Sequence, residues 1–263
     1  MNIGLIIVGD EILSGKRQDK HLPKLIDLLA ARGLSLGWAR YVGDDRPRLT
    51  ADLQHAFTCG DLVFSCGGIG ATPDDHTRQC AAAALGVDLA LHPQAAELIL
   101  ERMRDVAAEQ GLPYEPDRAD NKHRLNMGLF PAGARIIPNP YNKIAGFSLG
   151  HVHFVPGFPV MAWPMMEWVL DQHYPHLHRS GRDVERSVIV FGAMEASLTP
   201  LMEDIETRFS GIKVFSLPSV DHPQWGKHIE LGVKGAGDSV AAFAALRQGL
   251  AQFGAKLGPE LVR

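Results

Sequence analysis

Apolar and polar positions along this chain fall into blocks whose period changes. Residues 3–8, IGLIIV, form an unbroken apolar run of strand length, and GDEILSG follows at once. In HLPKLIDLLAARG, Leu22, Leu25, Ile26, Leu28 and Leu29 share one helical face and Gly33 closes the segment. LSLGWARYV predicts a second strand, VGDDRP a turn, RLTADLQHAF a helix, and DLVFSC at 61–66 a third strand. A glycine loop then leads into the helical pattern HTRQCAAAALG. Strands alternating with helices of this length predict βαβ units, hence an α/β fold with a mostly parallel sheet flanked by helices.

Residues 93–110 predict a helix ended by Gly111, and the polar, proline-marked LPYEPDRADNKHR predicts a loop. ARIIPN, AGFSL and HVHFVP are short strands close together, a hairpin-like edge, followed by a helix over 160–171. HYPHLHRSGRDVER then reads as a solvated linker, its His173, His176 and His178 having no partner cluster nearby in sequence. Beyond it the pattern restarts as a small β-α-β-β-α unit. The expected boundary near 175–184 gives a first domain over 1–175 and a second, α+β domain over 184–263.

The composition narrows the class. With 46% hydrophobic and 21% charged residues, the 263-residue chain is that of an ordinary globular protein. A formal net charge of −4 argues against a broad nucleic-acid surface, which needs clustered Lys and Arg. The most apolar late stretch, 157–170, is broken by Pro159, Pro164 and Glu167, so no membrane span is expected. MNIGLIIVG lacks a basic flank and a cleavage site, and reads as a strand rather than a signal peptide. The three cysteines, Cys59, Cys66 and Cys80, form no CxxC pair; reduced thiols in a cytoplasmic protein are expected, with Cys66 a small buried apolar residue.

The candidate chemistry centres on Gly67-Gly68-Ile69-Gly70-Ala71-Thr72-Pro73-Asp74-Asp75-His76-Thr77, between a strand and a helix. A glycine loop at a strand's carboxyl end lets backbone amides approach an anion. Helix capping accounts for part of it, with Thr72 as N-cap, Pro73 at the first position and Asp75 as the acidic half of a capping box. Two adjacent carboxylates beside a phosphate-type loop would still repel a phosphate unless a cation lay between them. That favours a divalent metal such as Mg²⁺ held by Asp74 and Asp75. The loop is neither a Walker A sequence nor a strict GxGxxG fingerprint. Asp10, Glu11 and Ser14 in GDEILSG form a second strand-end candidate. The mixed charges of Asp117, Arg118, Asp120, Lys122, His123 and Arg124 read as exposed loop whose Arg and Lys could reach phosphates. Glu195 and Ser197 read as helix capping.

GDEILSG, the VGDD turn and GGIGATPDDHT, in this order, resemble the MoaB/MogA/MoeA molybdopterin-binding domain, and most closely its version in CinA-like proteins of the competence/damage-inducible family. PNPYNKIAGF at 138–147 and VPGFP at 155–159 resemble later CinA segments, and the terminal unit resembles the small KH-like domain of CinA. Cys66 stands where a threonine is usual, NPYNKIAG replaces an NPVGTAPG-like run, and Val160-Met161 replaces a Ser-Glu-Met-like ending. The resemblance stops before the amidohydrolase domain of CinA, which implies that nicotinamide mononucleotide deamidase activity is absent. By position it implies that Gly67, Gly68, Gly70 and Thr72 line a phosphate pocket, with Asp74, Asp75 and Glu11 beside it. Asn121, Asn139, Gly157 and Pro159 would stand on its rim. It also implies a homo-oligomer, dimer or trimer.

Three functions are then open. One is divalent-metal-dependent cleavage of a pyrophosphate in an ADP-containing compound such as ADP-ribose or FAD, through Asp74, Asp75 or Glu11. Another is a module that holds molybdopterin or a nucleotide without turning it over. The third is RNA binding by the small domain, which GVKGAGDS argues against because it lacks the basic flanks of a phosphate-clamping GxxG loop.

Overall fold

The computed structural model describes residues 1–178, 185–235 and 237–263. Their contacts gather into two units, Met1–Arg179 and Ser180–Arg263. In the first unit β1 (Ile3–Val8) is followed by the one-turn α1 (Asp10–Leu13), α2 (His21–Ala30), β2 (Trp38–Val42), α3 (Arg46–Thr58), β3 (Leu62–Cys66) and α4 (Thr77–Leu85). Then come β4 (Leu89–Leu91), α5 (Pro93–Glu109), α6 (Ala119–Leu125), β5 (Leu129–Pro131), β6 (Arg135–Ile137), β7 (Gly146–Leu149), β8 (Val152–Val155) and α7 (Pro159–His173). Six strands form one sheet in the order β2-β1-β3-β8-β7-β6, and β4 pairs with β5 separately. β2, β1, β3 and β8 are mutually parallel; β7 runs antiparallel to β8, and β6 to β7.

Every residue of β1 is buried because helices cover both faces of the sheet. Ile3, Leu5 and Ile7 pack with Leu25 of α2 and with Met165, Met166 and Val169 of α7. Ile6 and Val8, pointing the other way, join Leu49 and Leu53 of α3 and Cys80 and Ala81 of α4. The chain passes from β1 through α2 to β2 on one side of β1, then through α3 to β3 on the other side. The loops leaving β1 and β3 therefore diverge to opposite faces, and the crevice between those strand ends is a topological switch point, where open α/β sheets bind ligands.

Several expectations need correction. Ile26 is 46% exposed, so the apolar face of α2 is narrower than its sequence suggests. Residues 119–125 of the expected loop form α6, whose polar sequence hides it from a hydrophobic-period reading. α4 begins at Thr77, not beside Thr72, because Thr72–Asp75 close a turn of their own, the Asp75 amide donating to the Thr72 carbonyl at 3.0 Å. HYPHLH is not a solvated linker at its start. Tyr174 is buried, His173 stacks on His153 with 6.3 Å between ring centroids, and Leu177 packs on the core. Residues 179–184 of that segment, and Ala236 in GVKGAGDS, lie outside the described residues.

The second unit contains β9 (Arg186–Phe191), α8 (Glu195–Arg208), β10 (Ile212–His222), β11 (Gly226–Gly235), α9 (Ser239–Gln252) and β12 (Lys256–Val262). Its antiparallel sheet has the order β10-β11-β9-β12, with Val188, Leu231 and Val233 packed on Leu198, Ile205 and Leu246 of the two helices. The final strand is unexpected from the sequence, since Gly258 and Pro259 interrupt it and its register shifts between Leu257 and Glu260. Neither Glu195 nor Ser197 caps α8: the N-cap residue is Met194, without a side-chain bond, and Glu195 accepts instead from the Ser216 hydroxyl. No described helix is long and apolar enough to cross a membrane.

Candidate functional site

Gly67 and Gly68 leave β3 with φ of +106° and +66°, a region that only glycine enters cheaply. A Cβ on Gly67 would strike the Val8 carbonyl, and one on Gly68 the Thr77 hydroxyl. The loop thus lies directly against the end of β1. From there the protein holds every carbonyl in turn. The Thr77 hydroxyl donates to the Gly67 oxygen and the Thr77 amide to that of Gly68, both at 3.0 Å. Arg78 donates through Nη1 to Ile69 at 3.1 Å and through Nη2 to Gly70 at 2.6 Å. His123 on α6 bonds the Ala71 carbonyl at 3.0 Å, and the Asp75 amide bonds that of Thr72.

A trans peptide directs the C=O of one residue and the N–H of the next to opposite sides. Tying back the carbonyls of Gly67, Ile69 and their neighbours therefore turns the amides of Gly68, Ile69, Gly70 and Ala71 the other way. Among the described residues none of these four amides has a protein acceptor, whereas the Gly67 amide bonds Val155 and the Thr72 amide bonds Asp75. Successive outward amides of this kind make an anion-binding concavity. Asp75 braces it, its Oδ2 accepting from both the amide and the hydroxyl of Thr72 and lying against Gly70.

Acids stand on the β1–β2 side. Asp10 and Glu11, exposed in α1, are joined by half-buried Asp44 from the VGDD turn after β2. Burial, together with the charges of Asp10, Asp74 and Glu11, pushes the Asp44 carboxyl above its ordinary range. Asp74 is exposed, and the Thr72 side chain and its own amide hold it below that range. The three loops flagged in the sequence therefore converge here. Ser14 is exposed where α1 ends, its amide donating to the Asp10 carbonyl at 2.8 Å.

Gly157 stands on the other side, where a Cβ would come within 3.5 Å of the Gly67 Cα, and its carbonyl accepts from Nε2 of buried His21 at 3.0 Å. Burial lowers the pKa of His21. Exposed Phe158 carries the Arg17 guanidinium 5.9 Å from its ring centre, and Pro159 opens α7. Asn139 and Asn121 have other occupations. Asn139 is buried and bonded to Asn142, Ile144 and Tyr141 inside its own loop, whose Lys143 has φ +63°. Asn121 is buried against the Glu115 carbonyl at 2.7 Å and Arg124. Arg118 and Lys122 pair with Asp120 and Asp117, so His123 rather than an Arg or Lys of this segment reaches the loop. Cys66 is buried and its thiol pKa is raised by desolvation, which makes it a packing residue.

A sheet crevice with a glycine loop on one strand end and acids on the next defines an α/β ligand-binding domain. Residues 4–178 match the family described as "Probable molybdopterin binding domain", and the chain belongs to that family. It is similar to a CinA-like protein of Anaeromyxobacter sp. (strain K), 33% identical over 215 residues, covering 78% of this chain and 49% of that protein. A CinA-like protein of Geobacter sulfurreducens is 32% identical over 225 residues, covering 81% and 51%. The chain thus spans about half the length of the curated relatives it matches. The crystal structure of the protein CinA from Thermoplasma acidophilum superposes with a TM-score of 0.53 at 27% identity, covering 65% of this chain and 98% of that one.

Proposed function

We propose that this chain binds a phosphate-bearing pterin or nucleotide in the β1–β3 crevice and cleaves a pyrophosphate in an ADP-containing compound, such as ADP-ribose or FAD, with a divalent cation. The observation that carries the binding half is the set of four outward amides, Gly68 to Ala71, without protein acceptors among the described residues. They suit phosphate oxygens, and the adjoining Arg17 and Phe158 suit a flat ring.

The acids offer oxygen donors only, the chemistry of a hard cation. Among the described residues, however, no three of them stand close enough to hold one, so the ligand's own phosphates would have to complete its shell. Asp74, Glu11 or Asp10 would supply the protein's part of that shell, and Asp75 has only its Oδ1 to offer because Oδ2 is taken by Thr72. When bound, the cation supplies charge neutralisation at the phosphates and a more acidic water. Asp44, with its raised pKa, is suited to accept that water's proton. The chain's own contribution is otherwise orientation: the loop amides fix one phosphoryl group while the acids face its neighbour.

The test is a screen of ADP-ribose, FAD and related diphosphates with Mg²⁺, Mn²⁺ and Co²⁺ against a chelated control. Metal-dependent AMP release is expected. Binding without any turnover in every combination would overturn the enzymatic half and leave a module that holds its ligand, a reading favoured by the engagement of Asp75 with Thr72. Light scattering of the same preparation tests the dimer or trimer that belongs to this reading.

A further inference from the structure

Arg78 lies one residue past Thr77 in the first turn of α4, where a helix pattern would send an arginine to solvent. It is instead 4% exposed, with its guanidinium beneath the loop. Its two terminal nitrogens divide between consecutive carbonyls, those of Ile69 and Gly70. Burial lowers the pKa of Arg78 and the charge of half-buried Asp75 opposes that shift; a guanidinium stays protonated in proteins. A buried cation is costly and an aliphatic residue would pack at less cost.

We infer that Arg78 is the positioning residue of the anion site: its forked guanidinium sets the Ile69–Gly70 and Gly70–Ala71 peptides so that the amides of Gly70 and Ala71 face the ligand, and it adds a positive charge behind them. The inference rests on the phosphate-binding reading above. It divides the loop in two. Thr77 orients the Gly68 and Ile69 amides through the carbonyls before them, while Arg78 orients those of Gly70 and Ala71. Lysine cannot replace it, because an ammonium is a point donor and the two carbonyls call for a planar fork. The charge also matters for the ligand class. A phosphate entering beside Asp10, Glu11, Asp44 and Asp74 meets a negative field, and Arg78 supplies an opposing charge from inside the protein.

The experiment is titration of the 263-residue chain with inorganic pyrophosphate and Mg²⁺, following individual backbone amides by NMR and affinity by calorimetry. In the wild type the Gly68, Ile69, Gly70 and Ala71 amides should all shift. Arg78→Gln and Arg78→Lys should each weaken binding by about tenfold or more, the scale of one lost charge-assisted hydrogen bond. The response of Gly70 and Ala71 should fall while that of Gly68 and Ile69 persists. Millimolar guanidinium should restore binding to Arg78→Ala, which separates a missing fork from a collapsed core. Wild-type affinity in folded Arg78→Gln and Arg78→Lys would overturn the inference. So would uniform loss at all four amides without guanidinium rescue, since Arg78 would then only support the fold. No pyrophosphate response in the wild type would instead overturn the phosphate-binding reading itself, and this inference with it.

Discussion

The backbone amides of Asp10 and Asp44 each donate to the other's carboxylate, at 3.0 and 3.2 Å. This reciprocal pair joins the turn after β2 to the helix after β1 and fixes the acidic side of the crevice. Burial and the charges of Asp10, Asp74 and Glu11 raise the Asp44 pKa, so folding is opposed once Asp44 ionises. The folded state then holds more protons than the unfolded one between the unfolded and the folded pKa, and stability falls as pH rises through that window. Asp44→Asn keeps an acceptor oxygen and removes the charge. Its melting temperature should exceed that of the wild type at neutral pH, and the gap should close in acid. Thermal melts across pH with and without Mg²⁺ check this, the wild type gaining more from the metal than the variant.

Asp74 and Asp75, adjacent in sequence, should separate experimentally. Asp75→Asn keeps one acceptor for the Thr72 donors and should cost about 0.5–1.5 kcal/mol of stability, with the metal dependence of ligand binding only mildly reduced. Asp74→Asn removes a carboxylate that the Thr72 side chain and its own amide hold below the ordinary range, so it should lower melting slightly at neutral pH while weakening metal-dependent binding sharply. Calorimetric titration of ADP-ribose with and without Mg²⁺ distinguishes them. Unchanged, metal-independent affinity in both variants would reduce the pair to a structural turn.

Gly67→Ala should be severe. The new Cβ meets backbone, the Val8 carbonyl, which cannot rotate away, and the residue must also hold φ near +106°. A loss of about 1–3 kcal/mol is expected from the backbone conformation alone. Gly60→Ala, also at positive φ but with open space around it, isolates the conformational part. Urea unfolding of both should put Gly67→Ala well below Gly60→Ala; equal midpoints would show that the loop moves away from β1.

Acid should weaken the first unit well before its carboxylates protonate. His153 is fully buried between Ser148, 2.8 Å from Nδ1, and Tyr174, 2.9 Å from Nε2. Burial, helped by the charges of His173 and Arg135, holds its pKa at about 3, below the ordinary 6.5. With a depressed folded pKa the histidine's stabilisation is complete above 6.5 and is lost as pH falls from there toward 3. His21 and His173 are lowered too and add to the slope. For His153 the slope is at most about 1.4 kcal/mol per pH unit. His153→Gln should be less stable near neutrality, yet lose less between about pH 7 and about pH 5, read from urea midpoints by tryptophan fluorescence.

What the sequence made legible was the α/β order and the place of the glycine loop, because both are written in apolar periodicity and in residues that only a turn at a strand end requires. Thr72-Pro73-Asp74-Asp75 misled, since a helix start and a free-standing turn ask for the same residues, and only the engagement of Thr77 and Arg78 with the loop decides between them. Asn121 and Asn139 stood on the rim only by resemblance, and their amides are consumed by neighbouring backbone and by Arg124 and Asn142, a matter of tertiary contact. Arg78 left no local signal at all: one charged residue on a helix looks like any other until its burial is known. Asp44 sat in a turn already noticed, yet its convergence with Asp10 and Asp74 depends on strand order, which adjacency in sequence does not convey.

Because α4 and its neighbours grip the carbonyls of the glycine loop, the anion site proposed there would already be organised before anything enters it. A ligand there need not freeze a floppy segment, so little conformational entropy is lost at the moment of association. Mutations that loosen the grip would then show themselves less in the contacts a bound ligand makes than in how quickly it leaves, since the rigid cradle is what keeps departure slow.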